Sequence, residues 1–197
     1  MKKKLMAGLV TMLFLVGMES NASANILTFD DVPGSEIEPG IKWVPNGYGN
    51  LNWENVGSVN SDITLWDVTD TGYNRGRFSG EWAAFNTYSK MISITGSFDF
   101  NGAYFTSAYY TDDTIEAKGY LAGEEIYNKS WAINNQTPTW INADFKNIDH
   151  LTFKSNDIGL AMDNFTYSPT PEPASMLLLG TGLAALAARK LKKQQAA

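Results

Sequence analysis

The only histidine of this 197-residue chain and the doublets Asp112-Asp113 and Glu124-Glu125 are the side chains that best suit acid–base chemistry. In a strand, His150 would point away from its apolar neighbours Leu151 and Phe153, towards solvent. Glu124-Glu125 and Asp112-Asp113 are candidates for paired glycosidase carboxylates, but adjacent strand residues point to opposite faces and both doublets resemble solvated turns. Cysteine is absent, which excludes thiol catalysis. No enzyme signature emerges from these residues.

Asp163 is predicted to lie inside the fold. It shares a period-two phase with Phe165 and Tyr167, whose aromatic rings are expected in the core. A buried carboxylate is unfavourable unless it is paired or binds a metal ion. The opposite phase, with Leu160 and Met162 inside and Asp163 in solvent, is the alternative.

A structural calcium ion is one way to satisfy a buried Asp163. Asp30 or Asp31, at the end of the first predicted strand, would supply a second oxygen ligand from the other end of the domain. Carboxylate and carbonyl oxygens are the ligands that a hard cation prefers. The sequence therefore predicts that Asp163 is tied to the first strand, and leaves open whether a calcium ion or a buried acid without a metal makes the connection.

Trp140 is the best candidate for an exposed aromatic platform. Three alternating apolar residues predict the core phase of its strand: Ile141, Ala143 and Phe145. Trp140 then shares the outer face with Asn142 and Asp144, so that an indole lies beside hydrogen-bonding groups. This combination suits stacking on a sugar ring, although a strand-edge tryptophan that covers a neighbouring loop is the alternative.

The N-terminus has the features of a secretory signal peptide. Lys2–Lys4 form a basic region, Leu5–Val16 form an apolar region, and Ala22-Ser23-Ala24 is a small-residue cleavage site. Cleavage after Ala24 would leave Asn25 as the first residue of the mature protein. An uncleaved N-terminal anchor is the alternative.

The C-terminus carries a second targeting pattern. Pro171-Glu172-Pro173 precedes an uncharged run, Ala174–Ala188. Four basic residues follow the run: Arg189, Lys190, Lys192 and Lys193. The positive-inside rule keeps such residues in the cytoplasm. This ending closely resembles the PEP-CTERM sorting signal of Gram-negative bacteria that make exopolysaccharide, and Pro171-Glu172-Pro173 matches its defining motif.

The resemblance implies an export route with a transient inner-membrane intermediate. An exosortase-type membrane peptidase would cut near the motif and release the protein to the cell surface or the medium. The run of 15 residues gives roughly 22 Å of helix against a hydrocarbon core of about 30 Å. A short span suits a temporary anchor, and a short buried helix of a soluble domain is the alternative.

The predicted organisation follows from these two ends: a signal peptide over 1–24, one domain over 25–168, a proline-rich linker over 169–173, and a membrane helix with a basic tail over 174–197.

The domain holds 19 acidic and 8 basic residues, a net charge of −11, which disfavours nucleic acid and anionic lipid as partners. It also holds 24 aromatic residues, which suit either a β-rich core or stacking platforms for sugars.

The periodicity of the domain is that of strands. Ile92, Ile94, Phe98 and Phe100 alternate with polar residues before a predicted turn at Asn101-Gly102. Ala122-Gly123 is predicted to join strands over 114–121 and 124–133 as a hairpin. Four further strands are predicted: Leu27–Phe29, Trp140–Phe145, Asp149–Phe153 and Leu160–Tyr167. Together they predict an all-β fold, a single antiparallel β-sandwich of the jelly-roll kind.

Three short stretches, Thr28–Asp31, Val44–Trp53 and Ala161–Tyr167, resemble a family of secreted β-sandwich domains that is similar to carbohydrate-binding modules and often precedes PEP-CTERM tails. The resemblances imply an exported, non-enzymatic envelope or matrix protein associated with exopolysaccharide or biofilm. A glycan-binding module and a glycoside-active enzyme are the alternatives. A defined aromatic groove would indicate the first, and two carboxylates about 5 to 10 Å apart in a cleft the second.

Overall fold

The computed structural model describes residues 23–61, 68, 70–156, 158–170 and 181–182. Ten strands make up most of this part of the chain: β1 (Asn25–Leu27), β2 (Ile41–Trp43), β3 (Asn52–Glu54), β4 (Val56–Asn60), β5 (Trp82–Asn86), β6 (Ile92–Ser107), β7 (Asp113–Leu121), β8 (Glu124–Ile133), β9 (Thr139–Ser155) and β10 (Leu160–Pro169). One short helix, α1 (Gly72–Arg75), precedes β5. The predicted all-β, sandwich-like fold is confirmed.

The strands pair antiparallel in the order β2-β4-β5-β10-β6-β9-β7-β8, with β1 added to β10 and β3 added to β6. The described strands begin at Asn25 and end at Pro169. The predicted cleavage-site residue Ala22, the Pro171-Glu172-Pro173 motif and the basic tail lie outside the described residues, as do all but two residues of the apolar run. Within the described residues, no helix has the length and apolar character needed to cross a membrane.

The predicted hairpin around Ala122-Gly123 is confirmed. β7 and β8 pair from Leu121 opposite Glu124 to Asp113 opposite Ile133. The two turn residues have φ values of 52° and 85°, and two successive positive values match the twist of a two-residue hairpin. A turn signal between two alternating segments therefore sufficed to predict this unit.

The central strands are longer than predicted. The turn predicted at Asn101-Gly102 is wrong, because β6 runs through both residues. The strands predicted over 140–145 and 149–153 form one strand, β9. Asp144 and Asn147, with φ values of 50° and 52°, coincide with register shifts between β9 and β6. Such bulges insert a residue and bend a strand without ending it.

The domain has a large core and a smaller one. Six phenylalanines of the large core are less than 2% exposed: Phe98, Phe100, Phe105, Phe145, Phe153 and Phe165. Phe29, predicted at the end of the first strand, instead follows β1 with a φ of 63° and is also fully buried. The smaller cluster comprises Ile41, Val59, Val68 and Phe85, with Tyr73 packed against it. It forms the floor of a surface groove.

Candidate functional site: an aromatic groove, an outer aromatic row and an acidic clamp

The groove above the smaller cluster has a volume of about 400 Å³. Ile41 and Phe85 form part of its floor. Its walls carry three exposed aromatic side chains, Trp43, Tyr88 and Tyr109, which are 43%, 79% and 48% exposed. Aromatic rings of this size usually bury most of their surface in a core or an interface. A concave site with three exposed rings therefore has the character of a binding site.

The rings of the groove form two packed groups. Trp43 and Tyr88 lie side by side, with centroids 6.1 Å apart and planes inclined by 38°. Tyr73 meets Tyr109 edge-on at 5.9 Å and also meets the floor residue Phe85 at 5.8 Å. These contacts hold the rings in place before any ligand arrives. Preorganised side chains lose little entropy on binding.

Tyr88 is held at the rim by a strained turn. Tyr88 and Ser89, in the connection between β5 and β6, have φ values of 54° and 57°, a region that non-glycine residues rarely occupy. Asn86 secures the turn, because its side-chain amide donates to the Lys90 carbonyl at 3.2 Å. The Lys90 N–H closes the turn onto the Thr87 carbonyl at 3.0 Å. Strain of this kind concentrates at functional sites.

Polar groups accompany the rings of the groove. Glu38, Asn86, Thr87 and Ser89 line it together with the aromatic residues. The carboxylate, amide and hydroxyl groups are the donors and acceptors that fix the orientation of a hydroxyl-rich ligand. The groove therefore combines flat apolar surfaces with a few hydrogen-bonding groups.

Trp140 belongs to a second aromatic surface, which we call the outer aromatic row: Phe78, Tyr104 and Trp140. Its indole is 42% exposed and lies over Gly102, where an added Cβ would stand 2.8 Å from the ring. Tyr104 contacts Trp140 at 5.1 Å and stacks on Phe78 at 3.6 Å with planes 9° apart. The three apolar neighbours in β9 are buried: Ile141, Ala143 and Phe145.

Asn142 and Asp144, the polar partners predicted for Trp140, are both exposed. Asn142 lies opposite Gly102 on the same pair of strands. Asp144 lies in a bulge and forms an ion pair with Lys146 at 2.8 Å. The hydrogen bond from Lys146 lowers the pKa of Asp144. Asn142 is therefore the polar neighbour of Trp140, Asp144 lies further along β9, and a role of these three residues in glycan binding stays a prediction.

Asp163 lies on the outer face of the sheet, so the predicted phase is wrong. Its partner across the strand pair is Tyr104, and directly opposed residues share a face. A bulge at Asn164, with a φ of 50° and a register shift, reverses the alternation within β10. The core side of β10 is formed by four residues: Leu160, Met162, Phe165 and Tyr167. The predicted burial of Asp163 is confirmed, because the residue is 0% exposed. The alternative is correct that Leu160 and Met162 face the core and wrong that Asp163 is in solvent.

Three backbone N–H groups surround the Asp163 carboxylate. Phe78 and Ser79 donate to Oδ2 at 2.6 and 2.8 Å, and Asn164 donates to Oδ1 at 2.6 Å. Burial raises the pKa of Asp163 to about 6, the three N–H bonds act in the opposite direction, and the nearby Asp30 raises it further. The carboxylate therefore ties the segment that carries Phe78 to β10.

Asp30 holds the next part of the same segment. Glu81 and Trp82 donate their backbone N–H groups to Asp30 Oδ1 at 2.7 and 3.1 Å. Gly80 lies between the two attachment points with a φ of 62°, and a Cβ there would stand 2.0 Å from Asp30 Oδ2. We call Asp30 and Asp163, with the segment 78–82 that they hold, the acidic clamp. It joins the start and the end of the domain, as the sequence predicted for these two residues.

The clamp does not fit a calcium ion. The groups that meet both carboxylates are N–H donors, which repel a cation, whereas Ca²⁺ requires six to eight oxygen ligands. Asp31, the third predicted ligand, points elsewhere and accepts the Tyr48 hydroxyl at 2.7 Å. In the part of the chain that the structure describes, no group of three His, Cys, Asp or Glu side chains is placed to hold a metal ion. Hydrogen bonds satisfy the buried carboxylate instead.

The acid–base candidates are dispersed. His150 is half-buried; its Nε2 lies 3.0 Å from Ser93 Oγ, and its ring stacks on Tyr120 at 5.0 Å. Asp113 is buried and accepts a hydrogen bond from Ser155, so its assignment to a solvated turn is wrong. Glu124-Glu125 begins β8 and is exposed. These positions lie on different strands and do not converge on either aromatic surface.

Sequence reasoning missed the groove residues Trp43, Tyr88 and Tyr109. They come from a short strand and two connections, so that no single period brings them together. One signal was present: Tyr88 stands among polar residues in the stretch Asn86–Lys90, where a core role is improbable. An aromatic residue in a polar turn indicates exposure that strand phase does not detect.

Residues 169–193 match the PEP-CTERM protein-sorting motif. The motif implies an exported protein that passes through the membrane to the cell surface. No curated protein matches the chain.

The fold is similar to the crystal structure of a DUF4465 family protein from Bacteroides caccae ATCC 43185, with a TM-score of 0.53 and 11% identity over 75% of this chain and 100% of that chain. The enzymatically active domain of bacteriophage CBA120 tailspike protein 4 aligns with a TM-score of 0.33 at 10% identity, over 68% of this chain and 21% of that one. TmCBM61 in complex with β-1,4-galactotriose aligns with a TM-score of 0.26 at 10% identity, over 62% of this chain and 88% of that one.

Proposed function

We propose that this chain is an exported, non-enzymatic protein of the bacterial envelope or extracellular matrix, and that its β-sandwich binds an extracellular polysaccharide in the aromatic groove. The observation that carries the proposal is the set of three exposed rings in the groove, one of which, Tyr88, lies in a strained turn. The C–H face of a sugar ring is apolar and packs on aromatic faces, while its hydroxyls bond to polar groups such as Glu38 and Ser89.

The sorting motif supports an extracellular ligand, because it would deliver the domain to the cell surface. An exosortase-type peptidase would act at Pro171-Glu172-Pro173 and release the domain from the inner membrane, so the groove would meet the polymers of the cell surface. The domain also carries 19 acidic and 8 basic residues, and a net negative surface disfavours nucleic acid and anionic lipid. Exopolysaccharide or biofilm matrix is therefore the proposed partner.

Replacing Trp43 or Tyr88 by alanine should weaken binding at least about tenfold, because buried aromatic contacts contribute more than 1 kcal/mol each at binding hot spots. The measurement is isothermal titration or affinity electrophoresis of the secreted protein with polysaccharide purified from the producing culture. Both side chains are exposed, so thermal stability should change by no more than about 0.5 kcal/mol.

Tyr110→Ala is the matched control, because Tyr110 is 57% exposed and does not line the groove. Its affinity should equal that of the wild type. Equal affinity of the wild type, Trp43→Ala and Tyr88→Ala would exclude the groove as the binding site. Failure of the wild type to bind the polysaccharide would reject the proposed function as a whole.

A further inference from the structure

The outer aromatic row and the groove lie on the same face of the sheet, on either side of α1. Phe85, on the groove floor, is paired with Ala161 of β10, which is paired with Thr106 of β6, and residues opposed in this way share a face. The helix region packs directly on this face, because a Cβ added to Gly76 would stand 2.5 Å from the Ala161 Cβ. The middle of the face is therefore covered, and aromatic surface is exposed on both sides of the cover.

One short segment contributes a ring to each surface. Tyr73 in α1 packs on the groove floor and on Tyr109. Five residues later, Phe78 stacks on Tyr104 in the outer row. Asp163 holds the Phe78 backbone at 2.6 Å, so the acidic clamp fixes the position of this ring.

The outer row has the same chemistry as the groove. Phe78 and Trp140 are 54% and 42% exposed. Trp140 is this exposed even though part of its indole lies over Gly102. The exposed amide of Asn142 lies two residues from Trp140 in β9, and the exposed Asp144–Lys146 ion pair follows further along the strand. These groups offer both donors and acceptors to hydroxyl groups.

The size of the row suits a sugar better than a protein. Aromatic side chains offer about 150–250 Å² each, so the two half-exposed rings, Phe78 and Trp140, present about 200 Å². A stable protein–protein interface buries about 800 Å² on each partner. One exposed ring matches one sugar unit, and the two exposed rings, both in contact with Tyr104, match a short stretch of a polysaccharide.

We propose that the outer aromatic row is a second glycan-binding site, and that the domain is bivalent and links two stretches of extracellular polysaccharide. This inference rests on the proposed function of the groove. Two sites on one rigid domain convert weak single contacts into strong attachment, and they bridge polymers when they engage different chains. The protein would then act as a cross-linker of the matrix as well as a component of it.

The test measures binding and bridging separately. The secreted protein is mixed with polysaccharide purified from the producing culture; retention in affinity gels reports binding, and light scattering reports bridging. Trp140→Ala should keep binding through the groove but reduce scattering at least about fivefold, and Phe78→Ala should act in the same direction. Trp43→Ala should also lose bridging, and the double variant Trp43→Ala/Trp140→Ala should not bind.

Tyr110→Ala is the control for both measurements, and thermal melting of each variant verifies that it is folded. Wild-type scattering by folded Trp140→Ala and Phe78→Ala would overturn the second site while the groove proposal stands. Complete loss of binding in Trp140→Ala, with no effect of Trp43→Ala, would overturn the groove proposal and bivalency together. Absence of wild-type binding would reject both.

Discussion

Asp163→Ala is expected to lower the free energy of unfolding by about 3 kcal/mol, because three backbone N–H groups lose their acceptor and each such loss costs about 1 kcal/mol or more. The groups belong to Phe78, Ser79 and Asn164. Asp163 is 0% exposed, so water does not reach the vacated position without rearrangement. For a domain of this size the melting temperature should fall by roughly 6–12 °C in a circular dichroism melt.

Asp144→Ala is the matched control, since Asp144 is an aspartate of the same sheet whose side chain is 65% exposed. Its ion pair with Lys146 lies at the surface and contributes little, so the change should stay within about 0.5 kcal/mol. If Asp163→Ala melted at the same temperature as Asp144→Ala, the clamp would not hold the segment 78–82.

The pH dependence gives an independent check on Asp163. Burial raises its pKa from 3.8 to about 6 in the folded state, so the folded protein binds this proton more tightly than the unfolded chain. The free energy that binding of this proton adds to folding is therefore complete below about pH 4 and is lost as the pH rises through about 6, a change on the order of 3 kcal/mol. The difference in free energy of unfolding between the wild type and Asp163→Ala should be larger at about pH 4.5 than at about pH 7.5.

Gly80→Ala is the second change with a large expected effect, a loss of about 3 kcal/mol. A residue with a side chain at a φ of 62° costs about 1–2 kcal/mol. The new Cβ would also stand 2.0 Å from Asp30 Oδ2, so the carboxylate must move away from the N–H groups of Glu81 and Trp82. Chemical denaturation of the purified variant measures the loss.

Gly123→Ala is the control that separates the cost of backbone strain from the cost of a steric collision with Asp30. Gly123 has a φ of 85°, but nothing lies within 4 Å of its added Cβ, so only the backbone term of about 1 kcal/mol is expected. In the Asp30→Ala background, the loss of stability caused by Gly80→Ala should fall to that caused by Gly123→Ala, because the Asp30 carboxylate that the new Cβ would meet is gone. If Gly80→Ala still cost more stability than Gly123→Ala in the Asp30→Ala protein, the collision with Asp30 would not be the cause.

Alternation and turn chemistry predicted much of the fold. The β7–β8 hairpin and the buried faces of β6 and β9 follow from a period of two and from Ala122-Gly123. The bulges did not follow, because Asn101-Gly102 and Asn147 have the composition of turns, and only pairing with a neighbouring strand decides between a turn and a bulge. One bulge, at Asn164, reversed the phase assigned to Asp163.

The candidate sites depend on contacts that are distant in the sequence. The exposure of Trp140 follows from the strand phase of its own neighbours. The partners of Asp163 at Phe78 and Ser79 are 85 and 84 residues away, and no local pattern relates them. The groove brings together Trp43 of the short strand β2 and residues of separate connections such as Tyr88, so its existence depends on the tertiary fold.

Titration of the secreted protein with polysaccharide from the producing culture, followed through the indole N–H signals of its tryptophans by NMR, tests the groove most directly. Trp43 is 43% exposed in the groove, whereas Trp53 is 6% exposed and donates its indole N–H to the Tyr48 carbonyl at 2.8 Å. Trp43→Phe assigns the signal of Trp43 by its disappearance. The signal of Trp43 should shift in a saturable manner while that of Trp53 stays unchanged. An unchanged Trp43 signal at saturating polysaccharide would contradict glycan binding in the groove.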